Sequence, residues 1–298
     1  DLHLSIRRQA SDVYKRQISA LTSCVRESLP ECPYQYNIQL VVKDKNYLNN
    51  SGTEENIVDE NLPFNQYISN IYYTLENIKT GKIDIESPIN KILGDEKNTN
   101  IILNQMPDGQ YRLTVWGNVN ESVIETLALH TDNTESTDIY LGSATLNIIN
   151  GLAQDTILGM DRTKGKLSVK MNNLPESIVK IDQNISNIYK YVNALRLYRD
   201  MANVKTTFRK STQVLDKTST YLAPTLNNET SRLTISFYTT ENSSPTLTLP
   251  PVDLKINRNE ITEVTVNYNS TQDEIEIWVY IDSEWTLVKK LNISEIEI

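Results

Sequence analysis

The chain has 298 residues, 39% hydrophobic and 22% charged, with a formal net charge of −9. That length holds two domains of ordinary size, each with its own core. An acidic surface repels phosphate backbones and anionic lipid, so nucleic acid is excluded as an expected partner and any membrane attachment has to be covalent; no run approaches the ~18 apolar residues of a spanning helix.

Residues 1–17 read as no part of a fold, and they lack the apolar stretch that precedes a signal cleavage site. The segment is expected to be foreign sequence fused to a truncated frame, with Ile18 to Leu21 as the remnant of a leader. Leu21-Thr22-Ser23-Cys24 has the form of a lipobox, which would make Cys24 the acylated first residue of the mature protein. The other reading is an ordinary cysteine, free or disulfide-bonded to Cys32. Both cysteines fall in the first 32 residues, so the folded body has no disulfide and rests on packing.

From Tyr34 onward the pattern is strands. Tyr36, Ile38, Leu40 and Val42 alternate with polar residues, the period of a strand with one buried face. Sixteen Tyr against three Phe fit half-buried strands, with ring inward and hydroxyl at the water. After a polar loop to about Leu62, strands are expected over 67–75, 83–85 and 101–103. Met106-Pro107-Asp108-Gly109 is a turn, with Pro presetting φ and Gly free to take φ > 0. It leads into an alternating strand, Tyr111 to Trp116, ended by Gly117-Asn118. Residues 121–129 read as one short helix, and 138–148 as a strand. Asn150-Gly151 and the stretch to Gly159 form the expected domain boundary.

In the second half Leu167, Val169 and Met171 mark a strand. Ile178, Ile181, Ile185, Ile188, Val192 and Leu195 follow helical spacing. They are read as a strand followed by a short helix on a sheet, with an amphipathic partner helix as the alternative. Strands are expected again over 233–238, 246–249, 261–268, 274–281 and 285–291. Short strands with regular turn signals argue for β-sandwiches.

Catalytic chemistry is not found. His130 follows an apolar run and reads as a surface or capping residue rather than a ligand. Gly159 to Leu167 resembles a phosphate loop only superficially, because five residues separate the glycines and Leu167 stands where Ser or Thr would be needed; it reads as a turn into a strand. Asp132, Glu135 and Asp138 could gather around calcium, but their spacing fits a solvated acidic loop better. Seven Asn-x-Ser/Thr sites, at Asn49, Asn120, Asn184, Asn228, Asn242, Asn269 and Asn292, are what a chain rich in Asn, Ser and Thr contains by chance. The expectation is a protein that is not an enzyme and needs no cofactor.

The segment Cys24 to Val42 resembles the mature start of the fimbrillin-A-associated anchor proteins, with a lipobox cysteine, an acidic spacer, a Cys-Pro and a first strand. Met106 to Asn118 is similar to that family's Pro-Gly-x-Tyr turn and its strand ending Trp-Gly-Asn. Asp138 to Gly142, Met160 to Arg162 and Leu174-Pro175 are similar to its passage between domains; after about Tyr198 only strand character carries the likeness. The resemblance implies a mainly β protein of two tandem transthyretin-like β-sandwich domains with one or two short helices. The expected division is a leader over 1–23, a lipidated spacer over 24–33, and sandwiches over 34–152 and 153–298. It further implies lipid on Cys24, with Cys32 left a free thiol, and surface exposure on the cell outer membrane. The implied partner is shaft fimbrillin, joined by strand exchange, with the protein limiting or regulating fimbrial growth. The rival expectation is a glycan-binding surface lipoprotein that uses Trp116, Trp278 or Trp285 as stacking platforms. Two of these indoles exposed on one concave face would put binding ahead of anchoring.

Overall fold

The computed structural model describes residues 35–49, 59–123, 125–130, 134–149 and 156–293. Cys24, Cys32, Asp132 and the whole leader lie outside the described residues. The first half contributes β1 (Gln35–Val42), β2 (Asn70–Asn77), β3 (Lys82–Glu86), β4 (Asn90–Lys91), β5 (Asn98–Asn104), β6 (Gly109–Gly117), β7 (Thr126–Ala128) and β8 (Tyr140–Ile148). Next come β9 (Thr156–Arg162), β10 (Gly165–Asn172), β11 (Lys180–Asn193), β12 (Tyr198–Arg209), β13 (Lys217–Leu222) and β14 (Ser231–Tyr238). The chain closes with β15 (Leu247–Thr248), β16 (Val252–Leu254), β17 (Ile261–Asn269), β18 (Glu274–Ile281) and β19 (Glu284–Asn292).

These strands form three sheets. One has eight strands along the order β3-β2-β6-β8-β9-β1-β5, with β4 beside β2. A second has five, in the order β13-β10-β17-β18-β19, and a third has six, built on β12-β11-β14-β15 with β16 and β7 added. One hydrophobic cluster draws on residues 36–160, including Ile38, Leu40, Leu75, Leu113 and Val115. Another joins the five- and six-stranded sheets through Val169, Val264 and Ile277 on one side and Ile181, Leu233 and Phe237 on the other. A third cluster mixes the halves, with Trp116, Leu127 and Leu141 against Val192 and Ala223.

Two expected helices are strands. Thr126–Ala128 of the 121–129 segment pairs with β11 as β7, because Leu127 and Leu129 fill the mixed cluster in an extended chain. Lys180–Asn193 is one continuous strand, with a register break between Ile185 and Ile188. Asn187 sits there at φ 60°, and the extra residue turns a spacing of two into one of three. Ile181, Ile185, Ile188 and Val192 then mimic a helical period while all face a core. Among the described residues the helical content is two short 3-10 turns, Phe64–Gln66 and Thr134–Ser136. No helix among them is long and apolar enough to cross a membrane.

The Trp-Gly-Asn stretch has a local physical basis. A Cβ on Gly117 would lie 2.8 Å from Ile68 Cγ2, so the close approach of β6 to that side chain requires glycine. Asn118 takes φ 60°, its Oδ1 accepts the Ser69 N–H, and its Nδ2 donates to the carbonyls of Tyr67 and Asp138. In the preceding turn the positive φ falls on Gln105 and not on Gly109, which already belongs to β6.

Candidate functional site

The N-terminal strand is held on both edges. β1 pairs antiparallel with β5 from Gln35↔Asn104 to Val41↔Asn98, and parallel with β9 from Ile38↔Thr156 to Val42↔Met160. Beyond β1, the Lys43 N–H donates to the Met160 carbonyl, and Leu48 exchanges backbone bonds with Asn259 and Ile261. β9 passes through Thr163 and Lys164 directly into β10, which is itself flanked by β13 and by parallel β17. A pull on the chain before Gln35 therefore meets ladders on both sides of β1, and β9, one of those two partners, leads into an inner strand of the five-stranded sheet.

The junction crossed by this path is charged and buried. Arg162 donates from Nε to Asp138 Oδ2 at 2.6 Å and from Nη1 to Asn259 Oδ1 at 3.0 Å. Its guanidinium lies 4.0 Å from the Tyr47 ring centre, and the Tyr47 hydroxyl donates to the same Asp138 oxygen. Burial opposes the Arg162 charge, yet Asp138, Tyr47 and Tyr140 hold its pKa above the ordinary value. Burial also pushes the Asp138 carboxyl up, against the pull of Arg162. Lys164 is fully buried and reaches the Thr137 carbonyl; burial brings its amine down to about 7. Arg196, from the turn after β11, bonds Asp161 and the Leu141 carbonyl.

His130 belongs to this junction and is neither a surface residue nor a helix cap. Its side chain is buried, Nε2 accepts the Ala223 N–H at 3.1 Å, and Nδ1 is 3.5 Å from Glu135 Oε1. Burial lowers its pKa. Asp138 is thus bound to Arg162, Glu135 lies against His130, and among the described residues no group of three or more His, Cys, Asp or Glu is placed to hold a metal. The Gly159 to Leu167 segment is the end of β9, the Thr163–Lys164 link and the start of β10, a route from strand to strand.

A wide recess lies on the outer face of the five-stranded sheet. Alternation sends Val169 and Met171 of β10, Val264 and Val266 of β17, and Ile275 and Ile277 of β18 into the core. Their neighbours Lys170, Asn172, Thr265, Asn267, Glu276 and Trp278 line an open groove of about 1590 Å³. The strand register sets Lys217, Lys170, Thr265, Trp278 and Leu287 in one row across the sheet. The adjacent row runs Asn172, Asn267, Glu276, Lys290. Trp278 follows a register break against β19, and its Nε1 donates to Glu276 Oε2 at 3.1 Å. Trp285 is 41% exposed and its ring centre is 5.5 Å from that of Tyr280. Of the three tryptophans, Trp116 is core, while half-buried Trp278 and exposed Trp285 share this groove.

The sequence marked the two indoles but not the polar rows around them or the junction. Arg162 and Lys164 lie in the Gly159 to Leu167 run that reads as a turn, and the signal that could have found them is two cations beside a strand boundary in a mostly acidic chain. Cys24, the expected lipidation site, falls outside the described residues.

These features define a mainly β protein with an N-terminal strand paired on both edges and an aromatic groove on another sheet. No protein family matches the chain, and no curated protein is similar to it at a significant level. Solved structures are. One is a candidate polysaccharide-binding protein of Bacteroides thetaiotaomicron, with 11% identity, 85% of this chain and 98% of that chain covered, and a TM-score of 0.54. Another is a candidate adhesin of Bacteroides ovatus, with 10% identity, coverage of 89% and 97%, and a TM-score of 0.53. The fimbrial anchor protein Mfa2 of Porphyromonas gingivalis aligns at 11% identity over 87% and 97%, with a TM-score of 0.49. None of the three is described as an enzyme. At such identities the first two show a shared fold.

Proposed function

We propose that the chain is a lipid-anchored, surface-exposed subunit of the outer membrane that holds the base of a fimbria and limits its assembly through strand exchange with shaft fimbrillin. The observation that carries this reading is the placement of β1. The strand that follows the candidate lipid attachment site by a short spacer is hydrogen-bonded on both edges, and its ladder continues through β9 into β10. A tether pulled along that strand loads two ladders of backbone bonds, whereas an edge strand would be held by one. The sequence likeness of Cys24 to Val42 and of Met106 to Asn118 to the anchor family supports the same reading, as does a fold shared with a candidate adhesin. A single acyl chain holds a protein only marginally, so multiple acylation of Cys24 is part of the proposal.

On this reading the chain divides into two tandem transthyretin-like β-sandwiches, 34–152 and 153–298. Two separate hydrophobic clusters support two units, although β9 of the second range joins the sheet and cluster of the first, and β7 of the first range pairs in a sheet of the second. The test is mass spectrometry of the protein from intact membranes. Acylated Cys24 and release of the Cys24→Ala variant into the soluble fraction are expected; an unmodified Cys24 would reject the tether.

A second reading is favoured by a specific observation. Trp278 and Trp285 line one groove, the first half-buried and the second exposed, which meets only in part the expected arrangement of two exposed indoles for glycan binding. Likeness to a candidate polysaccharide-binding protein agrees with it. A protein held by its N-terminus can present such a face outward, so the two readings combine.

A further inference from the structure

We propose that the outer groove of the five-stranded sheet binds a neutral oligosaccharide of several pyranose units, seated on Trp278 and Trp285 and held by the amide and carboxylate row beside them. The proposal rests on the glycan-binding reading and adds to it a site, a ligand class and a size.

A pyranose has a C–H face that is apolar and a rim of hydroxyls that donate and accept. A complementary site needs a flat aromatic surface bordered by groups of both kinds. Trp278 supplies the surface, and the bond from its Nε1 to Glu276 Oε2 fixes the ring before any ligand arrives. Preorganisation of this kind lowers the ordering cost of binding. Trp285 adds a second indole further along the face. Asn172 donates to Asn267 Oδ1 at 2.7 Å, and each amide carries further donor and acceptor positions beyond that bond.

Size and charge narrow the ligand. Small-molecule pockets enclose roughly 300–1,000 Å³, whereas this groove measures about 1590 Å³ and is open along its length. It fits a chain rather than a single sugar. Asp216, Glu263, Glu274 and Glu276 outnumber Lys170 and Lys217 along its walls. Lys290 stands 2.8 Å from Glu274 and offsets part of that excess without reversing it. On a chain of net charge −9 the resulting field repels polyuronates and sulfated glycans.

The test titrates the full chain with hexasaccharides of α-1,4-glucan, β-1,4-glucan and β-1,4-mannan, and with hexagalacturonate as the anionic arm. Calorimetry and tryptophan quenching by acrylamide are the readouts. At least one neutral hexasaccharide should saturate and shield indole fluorescence, and Trp285→Ala and Trp278→Ala should each weaken it about tenfold. The Trp285 variant, altered at an exposed ring, keeps the test decisive if Trp278→Ala fails to fold. Binding of hexagalacturonate alone overturns the neutral class and leaves glycan binding standing. Neutral binding indifferent to both tryptophans overturns the site. Silence in every arm overturns the inference together with the reading beneath it.

Discussion

Lys164 and Lys170 occupy the same short run of chain and meet opposite environments. Lys164 is fully buried at the junction between the halves, while Lys170 stands exposed on the groove face of β10. Both regions mix acids, bases and aromatic rings. At the junction these groups bind one another, as Arg162 binds Asp138 and Tyr47, and they hold β9, β10 and the segment after β1 in one arrangement. On the groove they stand in rows set by strand register and open to solvent. Similar chemistry serves as mortar in one place and as a recognition surface in the other, and burial decides which.

The sharpest way to break this contrast is at Arg162. Removing one partner of a buried ion pair leaves the other charge uncompensated, at a cost of about 3–5 kcal/mol. Arg162→Ala is expected to lower the free energy of unfolding in urea by that amount, and Asp138→Asn to share most of the loss in a double-mutant cycle. A loss no larger than that of a surface substitution would mean the junction is as solvated as the groove.

Titration gives the next effect. The Lys164 amine titrates at about 7 in the folded protein and near 10.4 in a free chain. Between those values the unfolded state binds more protons, so stability rises with pH. Each pKa unit is worth about 1.4 kcal/mol, which makes the total a few kcal/mol. His130, lowered by burial, acts with the same sign: its contribution is lost as pH falls below the free-histidine value of about 6.5. Urea midpoints measured from pH 7 to 9.5 should climb, and Lys164→Met should flatten that climb. The buried tyrosines, raised above their ordinary value, titrate outside this window.

The difference between the regions also sets what the sequence could reveal. Alternation of apolar residues made β1, β6, β17 and β18 legible, although β6 also buries Trp116 on its other face. β12 and β13 were not read, since β12 is largely exposed and β13 buries threonines beside its leucine. β11 was misread because one inserted residue at Asn187 converts a strand period into a helical one. Trp278 and Trp285 were visible as residues, but their meeting depends on the β18–β19 register. The junction was hidden more deeply. Asp138, Arg162 and Asn259 are distant in sequence and come together only when β9 and the loop before β17 close over Tyr47. Asp138 looked like a possible cation ligand because the cation that claims it, Arg162, is not local in sequence.

A smaller effect tests how tightly the junction is closed. A Cβ on Gly165 would lie 2.2 Å from the Asn257 carbonyl oxygen, a backbone atom that cannot rotate away. Gly165→Ala must displace the 255–259 loop or the start of β10, and overpacking of this kind costs about 1–3 kcal/mol. Thermal denaturation should show the loss. An unchanged midpoint would mean that the loop yields freely and that the load path through β10 is slack at its first residue.

The smallest expected effect is at Lys170, and its smallness carries information. Its side chain projects from the outer face between Lys217 and Thr265 of the same row, exposed to solvent. Substitutions at exposed sites without buried partners usually change stability by no more than about 0.5 kcal/mol. Lys170→Ala should therefore leave the urea midpoint where it was, in contrast to Lys164→Met on the same stretch of chain. The same variant makes the groove more acidic by one charge. Binding of a neutral hexasaccharide should change little, while any residual attraction for hexagalacturonate should fall, most clearly at low ionic strength where screening is weak. A large loss of stability would place Lys170 in the structural framework, and the groove would then have to be counted with the junction instead of against it.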